Sequence, residues 1–251
     1  MLARPLLGRA PGLGLLGLLA CGPKADAPLA ESSSESSGAQ PPASLDLGSD
    51  AVVCGEPGDR AGSDESFAAL AGCEVYRGSL SLDHPGPDLS PLASLRILEG
   101  ALTTTGFNYE LETLEGLEQL QSVGEFRFSN DGLRSMSGVR SLREVEGFCY
   151  LSGLSSLADL DGLENLRSAG GLEVSFNSML VDIDGLSGLQ RVEGDLRIDG
   201  NPELTGVDGL SALEHVTGDL YIRENPKVPL SQIDALLSRV TVDGQVYLEL
   251  E

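Results

Sequence analysis

The sequence has 251 residues, of which 41% are hydrophobic and 4% aromatic, and it contains no Trp. A core made from these residues must therefore consist mainly of Leu, Val and Ile. With 16 basic and 39 acidic side chains the formal net charge is −23, and such a charge repels phosphate backbones and argues against nucleic acid as a partner.

The first 21 residues differ in composition from the rest of the chain. Arg4 and Arg9 precede the apolar run PGLGLLGLLAC, which is too short to span a bilayer as a mature helix. This pattern predicts a signal peptide over residues 1–20. The segment from Leu18 to Cys21 resembles the lipobox of bacterial lipoproteins, which implies cleavage before Cys21 and lipidation of its sulfur. An ordinary signal peptide that ends at a cysteine by chance is the alternative.

Residues 21–49 follow as a Ser- and Pro-rich segment with few large apolar side chains. Such a composition cannot offset the entropy cost of folding, so we expect a lipidated Cys21 followed by a disordered tether. A flexible coil of this length would reach about 30 Å. We therefore expect an exported lipoprotein, anchored by its lipid at the outer membrane or surface of a bacterium.

The remainder of the chain repeats itself. Units begin at Ser90, Glu115, Ser137, Asp161, Asp184 and Asp208, with spacings of 25, 22, 24, 23 and 24 residues. Near-constant periods of this length indicate a solenoid, in which each unit buries its apolar side by stacking on the next.

Each unit contains one short period-2 apolar pair, which predicts a strand. Leu196 and Ile198 form such a pair, and the glycines around it argue against a long helix. The equivalent inward pairs are Leu102/Thr104, Phe126/Phe128, Cys149/Leu151, Leu172/Val174 and Leu220/Ile222. Stacked strands of this kind would be parallel and about 4.8 Å apart. The fold class we predict for residues 50–251 is mainly β, a parallel β-helix or solenoid of about seven coils.

Both ends of the repeat region carry a predicted short capping helix. Near the first of these helices, Cys54 and Cys73 are expected to form a disulfide in an exported protein. Ser63 is the predicted N-cap of that helix. At the other end, PLSQIDALLSRV predicts a helix with Ser231 and Asp234 in capping-box spacing.

The motif LAGCEVYRGSLSL, Leu70 to Leu82, followed by units of the form G-L-x-x-L-x-x-V-x-G-x-L-x-I-x-x-N-P-x-L, resembles a receptor L domain. This module is a right-handed, leucine-repeat-like β-helix found in insulin and EGF receptor ectodomains and in many bacterial surface lipoproteins. The resemblance covers about residues 52–251. It implies a right-handed solenoid that acts as a binding module.

Residues between the two inward positions of each strand point outward and form a candidate binding surface. They include Tyr and Arg, the residue types that dominate binding hot spots. The predicted ligand-binding residues are Arg127, Tyr150, Glu173, Arg197, Tyr221 and Tyr247, in a row that also contains Ser81 and Thr103. The alternative is that they only stabilise the sheet as cross-strand pairs. The expected partner is a protein or glycan, bound by a monomer.

Other polar groups are predicted to be structural. Asn177, Asn201 and Asn225 fall at the same corner of successive units, where their amides are expected to form a ladder. The pairs Asp159/Asp161 and Asp182/Asp184 suit turn capping better than Ca²⁺ binding, because further oxygen ligands are missing. Cys149, at an inward position, is expected to be a buried thiol.

Catalysis has little support in the sequence. His84 and His215 lie in no metal or nucleophile motif, so we expect no enzyme activity, no cofactor and no metal. Two alternatives to a binding module stay open: an envelope spacer without a specific ligand, and a β-helical enzyme that acts on polysaccharides.

Overall fold

The computed structural model describes residues 50–84, 86–104, 109–129 and 132–249. The predicted signal peptide (1–20), the lipidation site Cys21 and the tether (21–49) lie outside these residues. No helix within the described ranges has the length and apolar character needed to cross a bilayer.

The described part of the chain is mainly β and forms one sheet of 14 strands. The strands are β1 (Val53–Cys54), β2 (Arg60–Ala61), β3 (Val75–Tyr76), β4 (Ser79–Ser81), β5 (Ile97–Thr103), β6 (Ser122–Ser129), β7 (Glu144–Ser152), β8 (Ser168–Ser175), β9 (Arg191–Val192), β10 (Leu196–Asp199), β11 (His215–Val216), β12 (Leu220–Arg223), β13 (Thr241–Val242) and β14 (Val246–Glu249). The main strand order is β1-β3-β5-β6-β7-β8-β10-β12-β14. Because this order follows the chain, each strand lies beside the equivalent strand of the neighbouring repeat.

The strand pairs are parallel, and their register joins equivalent residues of successive repeats. Leu196 pairs with Leu172 on one side and with Leu220 on the other, while Ile198 pairs with Val174 and Ile222. The predicted inward positions are confirmed as core. The buried members are Leu102, Thr104, Phe126, Phe128, Cys149, Leu151, Leu172, Val174, Leu196, Ile198, Leu220 and Ile222. Each large apolar side chain buried in this way contributes about 1.5–3 kcal/mol. This arrangement is compatible with a β-solenoid.

The turns of successive repeats also pack closely on one another. Single-turn 3₁₀ helices occupy Ser90–Leu92, Ser137–Val139, Asp184–Leu186 and Asp208–Leu210. Within the last of these, a Cβ atom on Gly209 would run into the carbonyl oxygen of Ile183 in the preceding repeat. Glycine at this position is therefore a requirement of turn stacking.

The first helix, α1 (Asp64–Ala68), begins as predicted after Ser63. The Ser63 hydroxyl accepts from the Ser66 N–H at 3.3 Å, and the Ser66 hydroxyl accepts from the Ser63 N–H at 2.9 Å, which makes a reciprocal capping box. The predicted disulfide between Cys54 and Cys73 is present and ties the region around α1 to β1.

The second helix, α2 (Leu230–Leu237), begins earlier than the capping-box spacing predicts. Its N-cap is Pro229, in an extended conformation and without a side-chain cap, so the prediction of Ser231 as cap is wrong. The physical reason is that the Pro229 carbonyl accepts the first helical hydrogen bonds, from the N–H groups of Gln232 at 3.0 Å and Ile233 at 3.4 Å, so the helix has begun before the chain reaches Ser231. Ile233 and Leu236 are buried, and Leu237 packs partly against the core.

Candidate binding surface

The structure brings the predicted outward residues into one continuous row. Each residue pairs directly with the next across adjacent strands. We call this set the outward row, which consists of Ser81, Thr103, Arg127, Tyr150, Glu173, Arg197, Tyr221 and Tyr247. The alignment arises because alternate side chains of a strand share a face and the register is parallel.

An aromatic and cationic stack forms the C-terminal end of the row. The Arg197 guanidinium lies 4.1 Å from the centroid of the Tyr221 ring. On the other side of that ring, Tyr247 stacks with a centroid distance of 4.6 Å and an interplanar angle of 7°. The Tyr247 residue is 43% exposed. The stack therefore presents an accessible ring at its end.

Carboxylates two residues earlier in the chain, just before β10 and β12, hold this stack in place. Asp195 Oδ2 lies 2.7 Å from Arg197 Nη2, and the Tyr221 hydroxyl donates to Asp219 Oδ2 at 2.9 Å. The pKa of Asp195 is lowered because its carboxylate accepts from the backbone N–H of Asp219 and from Arg197. The hydrogen bond to the Asp219 carboxylate raises the pKa of Tyr221.

Arg223 and Asp199 extend the same face, and the sequence analysis did not single them out. Arg223 donates to both carboxylate oxygens of Asp199, at 3.1 and 2.6 Å, and its guanidinium lies 5.2 Å from the Tyr221 centroid. Asp199 is buried, so its side of this ion pair is shielded from solvent. Because both residues lie two positions beyond the outward row, extending the period-2 pattern along each strand would have found them.

The middle of the row is also held by interactions along and between strands. Arg127 bonds to Glu125 at 2.7 Å, and its guanidinium lies 5.8 Å from the Phe148 ring. Phe148 packs against Tyr150 with 6.4 Å between ring centroids. Glu173 accepts from the Ser175 hydroxyl at 2.7 Å. These contacts order the side chains in advance, which reduces the entropy cost of meeting a ligand.

Small residues at the N-terminal end of the row leave a depression. A cavity of about 210 Å³ is lined by residues that include Arg60, Ser79, Ser81, Ala101 and Thr103. The row thus changes along its length, from small polar side chains around this cavity to aromatic rings near β14.

The predicted asparagine ladder is present in the buried turns. The backbone N–H of Asn177 donates to Asn201 Oδ1 at 3.1 Å, and the N–H of Asn201 donates to Asn225 Oδ1 at 3.0 Å. The Nδ2 groups of these residues donate to the carbonyls of Leu151, Val174 and Ile198. These amides satisfy buried backbone groups and serve as scaffold.

The aspartate corners cap turns. Asp159 Oδ1 accepts from the Asp161 N–H at 3.1 Å, and Asp182 Oδ1 accepts from the Asp184 N–H at 3.2 Å. The carboxylate of Asp159 is the main cause of a raised pKa at Asp161. Within the described ranges, no group of three or more His, Cys, Asp or Glu is arranged to hold a metal ion.

Neither the unpaired cysteine nor the histidines join the outward row. Cys149 is fully buried, and burial raises the pKa of its thiol to about 12. His215, on β11, lies with its Nε2 2.9 Å from Asp243 Oδ2. His84 lies after β4, where its ring is 5.5 Å from that of Phe67 and its Nε2 is 3.6 Å from Asp64 Oδ1.

Comparison with known proteins leaves the family open. No protein-family model matches the sequence, and no curated protein shows significant similarity to it. The likeness to receptor L domains therefore stays a prediction from the repeat pattern.

Proposed function

We propose that this protein is a lipid-anchored binding module of the bacterial cell envelope that recognises a protein or glycan through the outward row, by noncovalent contacts. The proposed fold is a right-handed, receptor L-domain-like solenoid of about seven coils, with α1 and α2 as its caps. The parallel register of successive repeats supports this fold. The Cys54–Cys73 disulfide is consistent with an exported protein.

The observation that carries the proposal is the stack of Arg197, Tyr221 and Tyr247. Arginine and tyrosine are enriched in binding hot spots because they offer large contact areas together with polar groups. Here they are already ordered by Asp195 and Asp219. A ligand that covers Tyr247 would bury aromatic surface without ordering these side chains anew, and such preorganisation favours affinity.

The glycan and protein alternatives use the same surface. An exposed aromatic ring can stack on the apolar face of a sugar, while neighbouring carboxylates accept from hydroxyl groups. The same ring and charges suit the rim and centre of a protein interface. The two ligand classes are therefore separated by experiment.

The test compares capture of envelope components by the protein purified in mild detergent and by the double variant Tyr221→Ser/Tyr247→Ser. Saturable capture from envelope extracts, or from a glycan array, is expected for the natural protein and should be lost in the variant. The matched control is Tyr109→Ser, because Tyr109 is an exposed tyrosine outside the outward row. Circular dichroism checks that each variant is folded.

Two results would count against the proposal. Capture that survives the double substitution in a folded protein would reject the outward row as the site. The absence of any saturable capture would instead favour an envelope spacer.

A further inference from the structure

Within the ranges that the structure describes, no strand lies beyond β14, the last strand of the sheet. Among the described residues it pairs only with β12, where Val246 lies beside Leu220 and Leu248 beside Ile222. Leu220 and Ile222 are fully buried, whereas Val246 and Leu248 are 42% and 44% exposed. The two inward apolar columns of the sheet therefore end in accessible side chains.

The peptide groups of β14 are divided between its two sides. The carbonyls of Gln245 and Glu249 accept from the N–H groups of Leu220 and Glu224 on the β12 side, at 2.9 and 2.7 Å. Peptide groups alternate in direction along a strand, so the N–H and C=O of Val246 and Leu248 point to the open side. An unpaired edge of this kind is a template for a further strand.

The charge around this edge favours a partner strand of opposite charge. Residues 240–249 contain Asp243 and Glu249 and no Lys or Arg. Nearby on β12, both bonds of the Arg223 guanidinium go to Asp199. A second copy of this chain would bring like charge to the contact, because the formal net charge is −23. A basic segment is electrostatically complementary instead.

The ring of Tyr247 determines which type of residue suits the central position of that segment. Tyr221 already lies between Arg197 at 4.1 Å and Tyr247 at 4.6 Å. The residue that pairs with Tyr247 on a further strand would lie over the remaining face of its ring. A Lys or Arg there would form a cation–π contact of the type already made by Arg197.

We propose that β14 is the docking site for an extended segment of another protein with an apolar–basic–apolar alternation, which adds to the sheet as a further parallel strand. Its apolar residues cover Val246 and Leu248, its basic residue covers the Tyr247 ring, and its backbone bonds to the open peptide groups. This docking site goes beyond the proposed function and shares only Tyr247 with the outward row.

The probe is a fluorescein-labelled synthetic peptide, Gly-Ser-Thr-Val-Arg-Ile-Lys-Ser-Gly, titrated with the full-length protein in detergent and followed by fluorescence anisotropy. Saturable binding is expected, and it should weaken as salt is raised because exposed charges are screened. A peptide with Asp in place of Arg and Lys should bind at least about tenfold more weakly, the factor that 1.4 kcal/mol corresponds to.

Variants of the edge and of the row separate the two proposals. Val246→Lys and Leu248→Lys place a like charge at exposed edge positions and should each weaken binding of the basic peptide at least about tenfold. Arg127→Ala, in the middle of the outward row, should leave peptide binding unchanged. Suppose that Tyr221→Ser/Tyr247→Ser loses envelope capture while the two Lys variants bind the peptide unchanged. That pair of results would reject the edge proposal and leave the outward row as the site of capture.

Amide exchange gives a second readout that does not depend on side-chain substitution. Saturation with the basic peptide should slow exchange at the N–H groups of Val246 and Leu248. The Tyr247 N–H faces β12 and should change little. Equal binding of the basic and acidic peptides, unchanged exchange at Val246 and Leu248, or a protein dimer that Leu248→Lys dissociates would overturn the proposal.

Discussion

Asn201 donates its backbone N–H to Oδ1 of Asn225, 3.0 Å away, and its own Oδ1 accepts from the N–H of Asn177. Each asparagine thus completes the hydrogen bonding of the repeat before it. Asn201 also donates from Nδ2 to the carbonyl of Val174. A defect at one asparagine is therefore expected to affect two neighbouring repeats.

Asn201→Ala should destabilise the protein by about 2–5 kcal/mol, because it leaves the buried Asn177 N–H without its partner and removes the buried side-chain bond to the Val174 carbonyl. Urea unfolding monitored by circular dichroism measures this change in the free energy of unfolding. The control is Asn165→Ala, which removes a single exposed bond to the carbonyl of Arg140 and should cost less than about 0.5 kcal/mol. Similar losses in the two variants would show that the ladder is not a main source of stability.

Gly209→Ala should destabilise the protein by at least about 2 kcal/mol, because the new methyl group meets the Ile183 carbonyl and the stacked turns must separate. Gly62→Ala is the matched control, since its methyl group would lie at an ordinary contact distance of 3.4 Å from Ser81 Cβ. That control should be neutral or slightly stabilising because alanine restricts the unfolded chain. Thermal unfolding of the two variants side by side tests whether glycine is required at position 209. Equal melting temperatures would show that it is not.

Reduction of the Cys54–Cys73 bond should lower stability by about 3 kcal/mol, because the closed loop restricts the unfolded chain. The measurement is urea unfolding with and without reductant. Cys54→Ser/Cys73→Ser should reproduce the effect and lose its sensitivity to reductant. A natural protein that unfolds at the same urea concentration in both conditions would contradict this expectation.

The buried thiol of Cys149 should make the folded protein less stable at high pH. Burial raises the pKa of its thiol in the folded protein to about 12 from an ordinary value of 9.0. The folded state therefore keeps a proton that the unfolded state releases, so this contribution is complete below pH 9.0 and declines as pH rises toward 12. The expected slope is up to about 1.4 kcal/mol per pH unit.

Cys149→Ala provides the comparison, since other groups titrate in the same range. The variant should be less stable at neutral pH because it leaves a cavity, and its stability should fall less steeply above pH 9.0, the ordinary thiol pKa. Thiol labelling of the natural protein at Cys149 should also require denaturant. Parallel stability profiles for the two proteins would disprove the contribution of the thiol.

Cys21→Ser should release the protein from the membrane, because the proposed acyl chains on Cys21 supply the anchor. Metabolic labelling with an alkyne fatty acid, followed by membrane fractionation, measures both lipidation and location. Cys149→Ser is the control and should still be labelled and sediment with membranes. Equal labelling of Cys21→Ser would place the lipid elsewhere.

Much of the sheet could be predicted because its signals are periodic. Alternation at Leu196 and Ile198, repeated about every 24 residues, predicts both the inward columns and the alignment of the outward row. The two-residue strands β9, β11 and β13 were not predicted, since two residues carry no alternation. The prediction that Ser231 caps α2 is wrong because it rests on the capping-box spacing alone, whereas the N-cap is Pro229.

The contacts within the candidate surface could not be predicted to the same degree. Arg197 bonds to Asp195, which immediately precedes its own strand, and stacks on Tyr221 of the next strand. Which of several acidic and aromatic neighbours an arginine chooses depends on side-chain rotamers and on the register of adjacent strands. The sequence pattern indicates that such groups share a face, and the coordinates are needed to pair them.

The spacing of the register has a consequence for how this protein can change in length. Leu172, Leu196 and Leu220 occupy the same column at steps of 24 residues. Duplicating or deleting one such block would rejoin the chain at matching positions and leave the neighbouring columns intact. Each block would lengthen or shorten the stack of strands by about 4.8 Å, so the length of the sheet can be altered in fixed increments without a new core.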